Sequence, residues 1–244
     1  MRFMVMHKND EGTEAGEPAT QQLFDEMGAF IGEMAAAGKF LGGEGLGASK
    51  TRTRLTFRDG VCTVKHGPYK GERELLQTAM LIAVETREQA IGWAERYGKI
   101  LGDGELELGP VTEAWDMGFG EKPAGAPLRV LVLEKADRES EAGQPRSAKQ
   151  KAELTRLRTE MTKAGVLTTE FHLAPSATAK RLVFRKNDLH VIDGPFVESK
   201  ELIGGFAIME LADTDEAIAM SRRYTAILGG TLEIDVRPLA ATER

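Results

Sequence analysis

What this chain lacks narrows its class before anything it contains. It has a single cysteine, Cys62, so no intrachain disulfide can form, and a reducing compartment fits that usage. No run of about 18 apolar residues occurs, so no membrane-spanning helix is expected. The opening MRFMVMHKNDEG reaches charged residues too early for a secretory signal. A cytoplasmic protein is the expectation. Long basic runs are missing and the formal net charge is −6, which argues against nucleic acid and anionic membranes as partners. Four scattered histidines and one cysteine give no ligand spacing for zinc. There is no Walker loop, no GxSxG elbow and no GxGxxG before a helix. The glycine-rich run from Gly42 to Gly47 lacks both the Lys-Ser/Thr ending and a following helix. No metal and no cofactor are expected.

What is present is a globular composition, 41% hydrophobic and 29% charged, able to bury a core, and a chain written twice. MRFMVMHKNDEGTEAGEP lies over LRVLVLEKADRESEAGQP, and RTRLTFRDGVCTVKHGPYKGERELL over AKRLVFRKNDLHVIDGPFVESKELI. AIGWAERYGKILG lies over AIAMSRRYTAILG. The match runs without a gap for about a hundred residues, with roughly thirty identities, beyond chance self-similarity. A one-residue slip then sets GELEL over GTLEI. The repeats span residues 1–111 and 128–240. Residues 112–127, rich in Gly, Pro and small residues, read as a linker, with Trp115 and Phe119 as connector packing.

Each copy gives the same order of elements. RFMVM and RVLVL are buried strands. A loop carrying EAG-x-P follows, then a helix over 20–37 closed by Gly38, or its counterpart closed by Gly165. Two strands then form a hairpin, turned by Asp59-Gly60 in the first copy and Lys186-Asn187 in the second. A further strand, a helix capped at Thr86 or Asp213 and a last strand complete the unit. This is a ferredoxin-like βαββαβ plan in an α+β fold. One such unit leaves a sheet face bare, so two must cover each other inside one chain.

At these residues the chain resembles a known family. IDGPFVESKELIGGF is similar to the signature of DGPF-domain proteins of the YCII-related group. KNDEGTEAG, KADRESEAG, GGEGLGAS and EIDVRPL resemble the rest of that pattern. The resemblance implies a dimeric α+β barrel, here closed by tandem units of one chain, with a further homodimer compatible with it. Activity in the family is mostly unassigned. Relatives imply a His–Asp pair at a pocket, and lyase or dehalogenating chemistry on small molecules. The neighbourhood of DGPF genes implies a sigma factor as partner of a non-catalytic regulator. The first copy departs from the signature: His66 stands for Asp193, Tyr69 for Phe196 and Arg73 for Lys200.

The candidate chemistry follows from those positions. Asp193 before Gly194-Pro195 reads either as a turn residue bonding its own backbone or as a carboxylate at a strand end beside Phe196, usable as a general base if buried. His66 titrates near neutrality and reads as its acid–base counterpart or as an exposed turn residue. Phe196 and Tyr69 are pocket-wall candidates. Glu44 and His172 are pocket-lining candidates or solvated loop residues. Arg54 and Arg181 recur at matched places, where a guanidinium would hold a substrate carboxylate or simply face solvent. Glu74, with Arg73, Lys200 and Glu201, reads as a charged turn face. Tyr97 and Tyr224 read as packing residues with a wet hydroxyl. Two functions stay open: a metal-independent pocket for a small organic ligand, working by proton abstraction or elimination with Asp193 as base, and a non-catalytic binding or regulatory protein.

Overall fold

The computed structural model describes residues 1–240 apart from Pro18, Arg73, Asn187 and 197–201. The expectations for Arg73, Asn187, Lys200 and Glu201 therefore lie outside the described residues. The first copy runs β1 (Arg2–Lys8), α1 (Glu11–Ala15), α2 (Gln21–Ala36), β2 (Phe40–Gly45), β3 (Thr53–Arg58), β4 (Val61–His66), β5 (Leu76–Val84), α3 (Arg87–Leu101) and β6 (Gly104–Pro110). The second runs β7 (Leu128–Lys135), α4 (Arg138–Glu141), α5 (Ala148–Lys163), β8 (Leu167–His172), β9 (Lys180–Arg185), β10 (Asp188–Asp193), β11 (Ile203–Glu210), α6 (Thr214–Ile227) and β12 (Thr231–Pro238). Short 3-10 turns sit at Ser49–Thr51, Ala114–Met117 and Ser176–Thr178.

Local chemistry sets the helix ends. The Leu23 amide donates to Thr20 Oγ1 at 3.1 Å to start α2, and Gly38, in the left-handed region at φ +68°, releases the chain after it. The Gln89 amide donates to Thr86 Oγ1 at 3.2 Å, while Gln89 Oε1 accepts from the Glu85 amide at 2.9 Å. Asp213 and Glu216 repeat this at α6. Both are capping boxes whose return bond reaches one residue before the cap. Asp59 and Gly60 turn β3 into β4 with φ of +50° and +77°, the pair of positive values that a two-residue hairpin needs.

Three expectations change. The EAG stretch is not a plain loop: it carries α1 and α4, capped by Asp10 and Asp137. Each copy also has a strand that alternation did not reveal, β2 or β8, at a sheet edge. The glycines of β2 let it lie close to β11; a Cβ on Gly43 would stand 2.7 Å from the Phe206 carbonyl oxygen. Finally, Leu55 lies opposite Leu106 and Leu182 opposite Ile234, so Glu107 matches Asp235. That register is two residues from the GELEL-over-GTLEI match and keeps the same faces inward.

The sheets do not follow the copies. One has the order β10-β9-β12-β1-β11-β2, the other β4-β3-β6-β7-β5-β8. In the first, β12-β1-β11-β2 is the fourth-first-third-second arrangement of a ferredoxin-like unit. Its first and second strands come from one copy and its third and fourth from the other. The two units are thus strand-exchanged, and the sheets are antiparallel throughout. Phe3 and Val5 of β1 pack with Met34, Ala217 and Ile234 beneath α2 and α6. Leu55, Met80, Val132, Leu154 and Leu157 form the matching layer beneath α3 and α5. Between the sheets, Met4, Met6 and Ile208 meet Leu76, Leu131 and Leu133. Each such side chain contributes about 1.5–3 kcal/mol on burial, so this shared layer is what closes the sheets on each other. The connecting segment is held down by Phe119, stacked on Phe24 with ring centroids 4.2 Å apart.

His7 lies one residue before the end of β1, against this packing. Its Nδ1 lies 2.8 Å from the Tyr224 hydroxyl, and any Cβ on Gly204 or Gly205 would strike its ring. Burial holds the imidazole down from the ordinary 6.5 to about 4. The unfolded chain then binds a proton that the folded chain refuses, so stability is full above pH 6.5 and falls as pH drops toward 4. The expected loss is on the order of 3 kcal/mol, measured as the difference in urea stability between pH 7 and 4.5 for the wild type relative to His7→Gln. The exchange carries its own expectation. Residues 128–244 expressed alone lack the strand that lies between β12 and β11, and will elute as a dimer or aggregate on size exclusion. A native-like monomer would contradict the exchanged sheet.

Candidate functional site

The signature loops are built as a repeated clasp. The Gly194 amide donates to the Ala179 carbonyl at 3.1 Å, as Gly67 does to Arg52. A side chain on either glycine would overlap the Ser176 or Ser49 carbonyl. The Phe196 amide donates to Ser176 Oγ at 3.0 Å and the Tyr69 amide to Ser49 Oγ at 3.3 Å. Each serine hydroxyl in turn donates to the glutamate of EAG, Glu141 or Glu14. Two stretches of the family-like pattern therefore meet at one hydrogen-bonded point.

Asp193 lies at the end of β10, its side chain 74% exposed and ion-paired with Lys180. His66 ends β4, with Nδ1 3.0 Å from Thr53 Oγ1. These two residues stand on outermost strands of different sheets. Glu44 pairs with Arg129 on β7. His172, on edge strand β8, lies 3.3 Å from Thr78 Oγ1 and 3.6 Å from Glu170, and burial lowers its pKa.

The arginines are where charge converges. Arg54 projects from β3 into the space between the sheets and is buried, not solvent-facing. Its Nη2 donates to Glu74 at 2.9 Å and Glu107 at 3.1 Å, and its Nε lies 3.2 Å from Glu105. The guanidinium carbon sits 4.2 Å from the centre of the Tyr69 ring, a cation–π contact. Glu107 also accepts from Arg52 Nη1 at 2.9 Å. Lys135, at the end of β7, donates to Glu74 and lies 3.6 Å from Glu107. Glu74 is therefore a buried charge of this cluster, not part of an exposed turn face.

The other half mirrors this arrangement. Arg181 holds Asp235 at 2.7 and 3.0 Å and covers the buried Phe196 ring at 4.4 Å, while Lys8 reaches Asp235 at 2.9 Å. Each cluster takes its lysine from the opposite copy, a direct result of the strand exchange. The clue in the sequence was the polar identity at matched positions: Lys8 with Lys135, Ser49 with Ser176, Glu14 with Glu141. A strand-end lysine otherwise reads as solvated.

A cavity of about 700 Å³ opens at the end of β7, a size that suits a small ligand. Arg54 and Lys135 line it, with Glu134, Arg146, Gln77 and Glu72. The Tyr97 hydroxyl donates to Glu134 at 2.8 Å, and Arg146 Nη2 donates to the same carboxylate at 2.7 Å. Tyr97 is fully buried, so its hydroxyl is not wet, and burial followed by the Glu134 charge raises its pKa. Burial raises the Tyr69 phenol as well. Burial first, then the charges of Arg54, Arg52 and Lys8, hold the Lys135 ammonium well below the usual amine range. Of the eight residues the sequence singled out as site candidates, Arg54 lines this cavity. Asp193, His66, Phe196, Tyr69, Glu44, His172 and Arg181 are not among its lining residues. Among the described residues, no three His, Cys, Asp or Glu side chains group to hold a metal ion, and no helix is long and apolar enough to cross a membrane.

Comparison with known proteins agrees with the duplication. An uncharacterized protein of Rhizobium meliloti (strain 1021) is 33% identical over 88 residues, covering 36% of this chain and 71% of that protein. No solved structure matches. The YCII-related domain matches twice, over residues 1–112 and 128–239, and with both halves matched the chain belongs to the YCII-related family.

Proposed function

We propose that this protein binds a small polar organic molecule in the cavity at the end of β7 and acts on it by proton transfer, in the class of proton abstraction or elimination. The observation that carries this reading is a cavity of ligand size lined by Arg54 and Lys135, both ion-paired to the buried Glu74 behind them. Ionisable groups displaced from their ordinary pKa at a cleft are the usual equipment of acid–base chemistry. The lining mixes arginines with carboxylates, which suits a ligand that is itself polar and charged rather than an apolar one. We place the working carboxylate at Glu74, not at Asp193, because Glu74 touches Arg54 and Lys135 of the cavity wall, whereas Asp193 is exposed on an edge strand and ion-paired with Lys180. Arg54 supplies fixed positive charge where a substrate gathers negative charge, and Arg146 sits at the wall as an orienting group.

A binding role without turnover is the second reading. It is favoured by one observation: Arg54, Glu74, Glu107 and Lys135 already satisfy one another. Ligands recovered unchanged after long incubation would support it.

The test is a screen of small polar metabolites by thermal shift and ligand-observed NMR, repeated on two variants. Arg146→Ala should weaken genuine hits about tenfold, equal to about 1.4 kcal/mol, and Asp193→Asn should leave them unchanged. The opposite pattern would move the site to the Asp193 loop.

A further inference from the structure

Lys135 is the sole lysine among the described residues lining the cavity, and it sits in a cluster of three cations and three carboxylates. Arg52, Arg54 and Lys135 have side-chain exposures of 0%, 10% and 6%, and they face two carboxylates, Glu74 and Glu107, each 1% exposed. Glu105, 29% exposed, reaches Arg54 from the edge. Lys8, on β1 of the opposite sheet, is paired with Asp235. Guanidinium groups do not give up a proton in a protein. Lys135 is therefore the one cation of the cluster able to yield a proton, and the contacting Glu74 carboxylate is placed to accept it. Such a desolvated amine, crowded by cations and open to a cavity, has the features of a lysine that attacks carbonyl carbon.

We propose that Lys135 is an amine nucleophile that forms an imine with a small polar aldehyde or ketone in this cavity. The proposal rests on the reading of the cavity as the ligand site. The Nζ lone pair attacks the carbonyl carbon, and the C=O π pair moves to oxygen. The amine proton is transferred to that oxygen, giving a neutral carbinolamine. Glu74, holding the proton passed from Lys135, gives it to the hydroxyl; water leaves and the iminium forms. The Glu74 carboxylate then takes a proton from the carbon next to the iminium, and the C–H pair flows to nitrogen as an enamine. Each proton is returned to a named group, and no oxidant or reductant enters. Lys8, the counterpart in the other half, is paired with Asp235 and is not among the residues lining this cavity.

The full chain is incubated near pH 7 with pyruvate, acetoacetate, dihydroxyacetone or acetaldehyde in the presence of sodium cyanoborohydride, then analysed by intact mass and peptide mapping. With at least one probe, a reduced adduct should approach one per chain on Lys135, at least about tenfold above any other lysine, since the neutral amine fraction sets the rate of attack. Lys135→Arg, which keeps the charge, should abolish that adduct while other lysines label as before. Wild-type mapping decides the matter even if the variant fails to fold. Adducts spread evenly over exposed lysines, or none with any probe, would overturn the proposal. If ligands sensitive to Arg146→Ala still bind while no Lys135 adduct forms, the imine is refuted and the cavity reading stands; if neither binding nor adduct is seen, both fall.

Discussion

The position of β1 between β12 and β11 is the constraint on which the rest of the molecule depends. It takes the first strand of one copy and hydrogen-bonds it on both edges to strands of the other. β7 does the same between β6 and β5. Because residues alternate across a strand, each inserted strand serves two apolar layers at once. Phe3 and Val5 face the helices; Met4 and Met6 face the opposite sheet. The same insertion carries Lys8 and Lys135 across the molecular pseudo-twofold, so the buried charge clusters are jointly owned by both copies. Neither cluster can be assembled within one copy.

The duplication, the α+β class and the helix boundaries were legible in the sequence because each has a local cause. Thr20, Thr86 and Asp213 cap helices through bonds to their near neighbours, and Asp59-Gly60 turns a hairpin by backbone preference alone. The exchange was not legible. RFMVMHK and LRVLVLEK carry the same alternation, so either strand satisfies either sheet, and no residue pattern states which connection the chain takes. β2 escaped notice because FLGGEG has no alternation; its glycines answer to the backbone of β11. At the site, Arg54 and Arg181 stood out as repeated cations. Their burial did not, because it depends on Glu107 and Asp235 lying opposite them in a register that sequence comparison placed two residues away.

The clusters also show how the two halves diverged without losing geometry. Arg52 donates to the Gly47 carbonyl at 2.6 and 2.9 Å. At the matched place in the second copy stands Ala179, yet the corresponding carbonyl, that of Ala174, is still met by a guanidinium. It comes from Arg237 on β12, which also donates to Leu76 in the other sheet at 2.6 Å. Leaving such a carbonyl unpaired inside the protein is costly. What persisted was therefore a donor at one point in space, not an amino acid at one place in the chain. The glutamate–serine clasps under the signature loops persisted in both halves, which ties Gly67-Pro68 and Gly194-Pro195 to support of the arginine-stacked rings above them.

The two sheets draw on the chain in different ways. One is made entirely from the uninterrupted run between Thr53 and His172, while the other needs β1 and β2 together with β9 to β12. On a ribosome, where a chain emerges from its N-terminus first, β1 and β2 are made well before β11 and β12, the strands they pair with. Until β11 and β12 are made, the nascent protein must carry Phe3, Met4, Val5 and Met6 without the strands that later flank them. A finished sheet thus waits beside an unfinished one, and the emergence of β11 and β12 is the event that lets the second close.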